Sequence, residues 1–350
     1  MTLVETQRFT TPDFRLESGV KLPELTLAYE TYGRLAPDGR NAVLVTHGFT
    51  SSHHAAGVYA PSDPQPGWWD TLIGPGKAID TDRWFVVSSN MLGSSYGSTA
   101  PRSTNPATGR PYGPGFPDIM LRDIVGAQRA LLDALGIRRL VAVAGPSFGG
   151  YQAFQWAVTY PDFMLGVVPV VTAPKGSGGP QAVDSLVRRF AADPAWNGGW
   201  HYDKGGIPRA MLALRLETLR HYGTPEVLAR TIADPAERER RLHEQAEQWA
   251  REFDPNSMIA LRKAAVGFDA ERDLRKIRAK VLYVLSRTDR LFPPSLAPGV
   301  VSALARAGVD ARYVELDTDL GHVASGPEWA QWAPALRAFL EELERSSATR

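Results

Sequence analysis

Short apolar runs bounded by turn residues recur along the chain. AVLVTH (42–47), WFVVSS (84–89), RLVAVAG (139–145), GVVPVV (166–171), KVLYVLS (280–286) and ARYVEL (311–316) are almost uninterrupted by polar positions. Such runs predict strands buried on both faces, as in a parallel sheet. Upstream, FRLESG and ELTLAYETYG (24–33) alternate apolar with polar residues and predict an antiparallel hairpin. Between the runs the apolar period changes to that of a helix. DIMLRDIVGAQRALLDALGI (118–137) puts Ile124, Ala127, Leu131 and Leu135 on one face, FGGYQAFQWAVTYP follows the third run, and EWAQWAPALRAFLEEL (328–343) comes last. Alternating strands and helices predict an α/β fold with a mostly parallel sheet and helices on both faces.

Residues 174–268 break this rhythm. They open on PKGSGGP, a flexible joint, and continue with helical patterns and no convincing strand. Within them PAERERRLHEQAEQWAREF carries Leu242, Ala246, Trp249 and Phe253 at helical spacing beneath a charged, solvated face. The expected organisation is a core of 1–173 and 269–350 interrupted by a helical lid, 174–268. There is no internal repeat and no low-complexity tract.

Composition narrows the function. Of 350 residues 43% are hydrophobic and 22% charged, enough for a sizeable core. A net charge of +1 argues against nucleic acid as the main partner. No apolar run approaches the roughly 20 residues of a membrane span, and the polar start MTLVETQRFTTPDF has no secretory pattern, so a cytoplasmic location is expected. With no cysteine, disulfides, thiolate metal sites and cysteine nucleophiles are excluded. No His/Asp/Glu grouping has metal-ligand spacing, and the pair at 53–54 reads as part of a loop.

Gly-x-Ser-x-Gly occurs twice, in AGPSFGG (144–150) and in LGSSYGS (92–98). Chance alone would supply roughly 0.2 matches in a chain of this glycine content, so context must decide. A nucleophile elbow needs a buried strand before the serine and a helix after it. The 144–150 stretch has both. The other runs into TAPRSTNPATGRPYGPG, a loop. Ser147 is therefore the candidate nucleophile, and Ser95 is a loop residue.

A serine hydroxyl needs a base, and the base an orienting carboxylate. In the fold that carries this elbow, the acid and then the histidine follow the serine in the chain. His322, in DLGHVAS, is the one histidine after the last predicted strand; His201, His221 and His243 fall in the lid, and His47 reads as structural. Asp289, just after KVLYVLS, is the expected acid, with Asp317 and Asp319 as competitors that would otherwise cap loops. Backbone N–H groups of Phe148 and Phe49 would form the oxyanion hole, with Gly48 allowing close backbone approach.

On these residues the sequence resembles the homoserine O-acetyltransferase family of α/β-hydrolase-fold acyltransferases. The shared stretches are YGRLAPDGRNAVLVTH, GWWDTLIGPGKAIDTDRWFVVSSNMLG, GSTAPRSTNPATGRPYG, FPDIMLRDIVGAQRALLDALGI, GPSFGG with QAFQWA, and SRTDRLFPP. They cover about 29–160 and 270–325. The resemblance implies an α/β-hydrolase fold, a Ser147–His322–Asp289 triad, a covalent acyl-Ser147, acetyl-CoA or another acyl-CoA as co-substrate with no permanently bound cofactor, a small-molecule acceptor, and a lid that narrows a tunnel and forms a homodimer contact. It also implies that Arg215, with Tyr222 seven residues on, grips an acceptor carboxylate.

Four features depart from the family. Val323 follows His322 where homoserine-using members have an amine-binding aspartate. The elbow reads Gly-Pro-Ser-Phe in place of Gly-Gly-Ser-Met, the stretch 47–50 reads His-Gly-Phe-Thr in place of His-Ala-Leu-Thr, and the lid is short. Valine cannot pair a buried ammonium. The expectation is a divergent O-acyltransferase with an acceptor other than homoserine. A small-ester hydrolase using the same triad is the alternative, and a non-catalytic binding module a third.

Overall fold

The computed structural model describes residues 2–63 and 65–348. Twelve strands and nine α-helices follow in the order β1 (Gln7–Arg15), β2 (Lys21–Tyr32), β3 (Ala42–Thr46), β4 (Ile73–Gly74), β5 (Ile79–Asp80), β6 (Phe85–Ser89), β7 (Thr104–Asn105), β8 (Arg110–Pro111), α1 (Leu121–Ala134), β9 (Leu140–Pro146), α2 (Phe148–Thr159), β10 (Met164–Val170), α3 (Gly179–Ala191), α4 (Pro208–Tyr222), α5 (Thr224–Ala229), α6 (Pro235–Glu252), α7 (Pro255–Val266), β11 (Lys280–Ser286), α8 (Ala297–Arg306), β12 (Ala311–Leu316) and α9 (Trp329–Ala348). Eight strands form one sheet in the order β1-β2-β6-β3-β9-β10-β11-β12. The β1–β2 and β2–β6 pairs are antiparallel and the remainder parallel.

All six apolar runs became strands of this sheet, within two residues of the expected ends. The hairpin is longer than its pattern, because Gln7 to Arg15 pairs along β2 although β1 is largely exposed. An edge strand hydrogen-bonded on one side needs little apolar content. Two short pairs, β4–β5 and β7–β8, had no period long enough to read.

Alternate side chains along the central strands enter two different cores. Leu44, Val143, Val167 and Tyr283 pack with α1, α2 and α8 on one face. Val45, Ala144, Val168 and Val284 pack on the other with α9, through Trp332, Leu336, Phe339 and Leu340. Uninterrupted apolar runs follow from this two-sided burial. Pro334 lies inside α9, beyond its first turn, and supplies no N–H to the helix ladder there.

Helices α3 to α7 all lie between β10 and β11. The two ends of this helical segment run side by side: Lys175 and Asp269 form an antiparallel bridge, Gly176 N–H donates to Phe268 O at 2.9 Å and Ala270 N–H to Pro174 O at 2.9 Å. Leu242, Ala246, Trp249 and Phe253 are all buried, as their spacing requires. Among the described residues no helix is long and apolar enough to cross a membrane, and no cluster of three or more His, Asp or Glu is placed to hold a metal ion.

Leu336 is fully buried in the α9-side core. Leu336→Ala should cost roughly 2–5 kcal/mol of stability, read from urea unfolding. A loss below about 1 kcal/mol would mean that α9 is not docked as described.

Candidate active site

Ser147 sits between β9 and α2 with φ 56° and ψ −119°, a strained conformation for a residue with a side chain. Close packing enforces it. A Cβ on Gly145 would come within 2.2 Å of Thr46 Oγ1, one on Gly149 within 2.2 Å of Thr46 O, and one on Gly150 within 2.3 Å of Thr172 Cγ2. Only glycines let α2 start directly over the ends of β3 and β10. Thr172 Oγ1–H donates to Ser147 O at 2.8 Å and Ser147 N–H to Val170 O at 2.8 Å.

The loops after β11 and β12 bring Asp289 and His322 together. Asp289 is buried, and its Oδ1 accepts from the N–H groups of Leu291 (2.8 Å) and Phe292 (3.1 Å). Its Oδ2 lies 2.8 Å from His322 Nδ1. An ionised carboxylate only accepts, so Nδ1 carries the proton and Nε2 is left with a lone pair. Thr288 joins the two loops, donating to Thr318 O (3.0 Å) and accepting from Gly321 N–H (3.1 Å). Tyr222 and Phe292 flank the imidazole, with ring centroids at 4.8 and 5.8 Å. Ser147 and His322 line one cavity of about 400 Å³ and are not hydrogen-bonded to each other.

The N–H groups of Phe49 and Phe148 have no acceptor among the described residues, and both residues border Ser147 in a second cavity, of about 500 Å³. Gly48 serves differently from its expected role. Its Cβ would meet Pro146 O at 3.7 Å and Ser147 Cβ at 3.8 Å, ordinary contacts, so close approach does not demand glycine there.

Arg215 is half-buried, with its Nε atom fully buried and without a hydrogen-bond partner, and among the described residues it has no carboxylate partner. Its Nη1 donates to Thr50 Oγ1 (2.8 Å) and its guanidinium lies 4.9 Å from the Trp249 ring. Burial pulls its pKa below the usual arginine range. Trp249 Nε1–H in turn donates to Thr50 O at 3.1 Å. Arg215, Tyr222 and Val323 all line the 400 Å³ cavity with Ser147 and His322. Burial, the largest influence, raises the Tyr222 phenol, and Arg215 lowers it in part.

The competing residues lie elsewhere. Asp317 pairs with Arg287 at 2.6 Å and Asp319 with Arg230 at 2.8 Å. Ser95 Oγ accepts from Asp254 N–H at 2.8 Å, and Asp254 Oδ1 lies 3.1 Å from His201 Nε2, so the second Gly-x-Ser-x-Gly anchors the start of α7 to the core. His243 faces Glu239 at 3.4 Å. His47 is fully buried between Gly48 O (2.9 Å) and Asn90 Oδ1 (3.0 Å). His221 does reach the Ser147-bordered 500 Å³ cavity.

Several contributors were not legible in the sequence. Trp68 donates to Ser52 O (3.0 Å) in the Phe49 loop, and Trp69 to Ser325 Oγ (3.2 Å) in the His322 loop. The GWWD motif therefore braces both loops. Thr50 and Trp249 hold Arg215. Their only sequence signal was membership of shared or buried stretches, which does not name a partner.

Residues 41–325 match a family model described as the alpha/beta hydrolase fold. The elbow, the sheet order and this match define an enzyme of the α/β-hydrolase superfamily. Relatives named homoserine O-acetyltransferase include one from Symbiobacterium thermophilum, 42% identical over 96% of this chain and 94% of its own, and one from Geobacter sulfurreducens, 40% identical over 98% and 99%. The chain belongs to the homoserine O-acetyltransferase family. Among solved structures, homoserine O-acetyltransferase from Bacillus anthracis superposes with TM-score 0.87 at 28% identity, over 97% of this chain and 98% of that one. An esterase superposes with the same TM-score at 33% identity, over 97% and 100%.

Burial drives the pKa of His47 and of His53 down to about 4, below the 6.5 of the unfolded chain. The folded state resists protonation that the unfolded state accepts. The stability held by these neutral rings is complete above about pH 6.5 and is lost as pH falls towards 4. His47→Gln should flatten the fall in unfolding free energy over pH 6.5 to 4. An unchanged slope would show that burial does not depress the His47 pKa in the folded state.

Proposed function

We propose that the protein is a serine O-acyltransferase that passes an acyl group from a thioester of the acyl-CoA type, through Ser147, to the hydroxyl of a small acceptor bearing a carboxylate. The observation that carries this reading is Arg215, a half-buried guanidinium with an unpartnered buried Nε and no counter-charge, in the same cavity as Ser147 and His322. A buried cation is costly unless an anion joins it. A carboxylate can bind its fork in two places.

In the first half, His322 Nε2 takes the proton of Ser147 as Oγ attacks the thioester carbonyl. Asp289 holds the ring and stabilises the imidazolium. The N–H groups of Phe49 and Phe148 receive the oxyanion. Collapse breaks the C–S bond, the thiol leaves with the proton from His322, and acyl-Ser147 remains. In the second half, the acceptor hydroxyl loses its proton to His322 and attacks the ester. Ser147 departs and regains a proton from the imidazolium. Helices α3 to α7 act as a lid that limits water access, which favours transfer over hydrolysis.

Val323 lines this cavity beside His322 and cannot hold an ammonium group. The acceptor is therefore a hydroxy acid whose amine, if it has one, is not anchored at this position. The same valine favours a second reading, in which water takes the acyl group and the protein is an ester hydrolase. The likeness to a solved esterase supports that reading.

Intact-mass measurement after a rapid quench should find one acyl group on Ser147, and Ser147→Ala should lower turnover about 10⁴-fold or more. Label on another serine would overturn the assignment. Thiol reagents meet no protein background in a chain without cysteine. Thiol release that depends on a hydroxy acid indicates transfer, and release in water alone indicates hydrolysis. Arg215→Leu should raise the acceptor KM with a smaller change in donor acylation. Val323→Asp should raise kcat/KM for homoserine by about tenfold relative to an amine-free hydroxy acid. A ratio that stays the same would place the amine elsewhere.

A further inference from the structure

The 500 Å³ cavity holds a second cation that the triad and the acceptor anchor do not use. Arg262, on α7, lines this cavity together with Ser147 and Tyr151. Among the described residues it has neither an ion-pair nor a hydrogen-bond partner, whereas its neighbour Lys263 pairs with Asp118 at 2.7 Å. Its charge acts on two tyrosines that line the same cavity. It offsets part of the burial-driven rise of the Tyr151 and Tyr222 phenols, and Tyr222 touches His322. Its guanidinium lies against Gly178 in the exposed joint before α3, so it also borders the solvent side.

The cavity's other charge does not satisfy it. Glu217 lines the same space but is bound to Arg189 at 2.6 Å. The walls near the serine are apolar, formed by Phe49, Phe148, Met258 and Phe292. Phe49, Thr50, Ser147 and Tyr222 line both cavities, so the two spaces meet at the nucleophile. With Arg215 facing one and Arg262 the other, each space has one uncompensated guanidinium.

We propose that the 500 Å³ cavity is the acyl-donor site and that Arg262 sets donor specificity by binding an anionic group of the donor, either a phosphate of its carrier or a carboxylate on its acyl chain. This assignment rests on Ser147 as the acylated residue. An unpaired guanidinium beside an apolar channel selects a substrate with an apolar reactive end and an anion further out.

Three donors separate the sources. Acetyl-CoA carries its anions on the carrier, the glutaric half-ester of p-nitrophenol carries one on the acyl chain, and p-nitrophenyl acetate carries none. Arg262→Leu should lower kcat/KM for one of the anionic donors by about tenfold or more relative to p-nitrophenyl acetate, and Arg262→Lys should recover part of that loss. The donor that loses identifies the anion. Equal losses for all three donors would mean a structural role and overturn the proposal. If the wild type is acylated by none of them, the Ser147 reading fails by itself. Calorimetric titration of CoA and of glutarate then tests Arg262 without turnover. Binding of either that weakens about tenfold in Arg262→Leu supports the proposal, and equal affinity or no binding overturns it.

Discussion

The site depends on one tight crossing, where β9 ends, the chain reverses at Ser147 and α2 begins over β3 and β10. Thr46 and Thr172 occupy the space that side chains at 145, 149 and 150 would need. The crossing forces Ser147 to φ 56°, at a cost of about 1–3 kcal/mol. Burial of β3, β9 and β10 on both faces offsets that strain. The same geometry leaves the Phe148 N–H free and aims the start of a helix at the space where negative charge would form.

Charge in the interior is distributed unevenly. Asp289 is saturated by two backbone N–H groups and His322, so it is fixed in place. Arg215 has only a neutral hydroxyl and an aromatic face. Arg262 has no partner among the described residues. Saturated groups hold the imidazole still, while unsaturated cations remain open to ligands. This division separates the parts of the site that would carry out chemistry from those that would choose substrates.

The helical segment and the core are joined at points that matter for the site. A Cβ on Gly223, which ends α4, would come within 2.3 Å of Leu320 O in the His322 loop. This close approach sets Tyr222 against the imidazole. Ser95 ties the start of α7, the helix of Arg262, to the loop after β6. The second Gly-x-Ser-x-Gly thus fixes the helical segment on the core. Its glycines serve a loop, with φ of 88° at Gly93 and 93° at Gly97.

The sequence by itself determined the fold class, the six apolar strands of the central sheet and the choice of Ser147, Asp289 and His322 as candidates. Each of these is encoded locally: apolar period sets strands and helices, glycines flank a strained turn, and chain order places the acid before the histidine. It also singled out Arg215 and Val323, by resemblance to a family and by departure from it. Only the tertiary structure decided that Arg215 is half-buried without a counter-charge, that Trp68 and Trp69 brace two loops, and that Arg262 faces the second cavity bordered by Ser147. Those facts are relations between residues far apart in the chain. Burial and charge compensation depend on which distant groups share a space, and no local pattern records that.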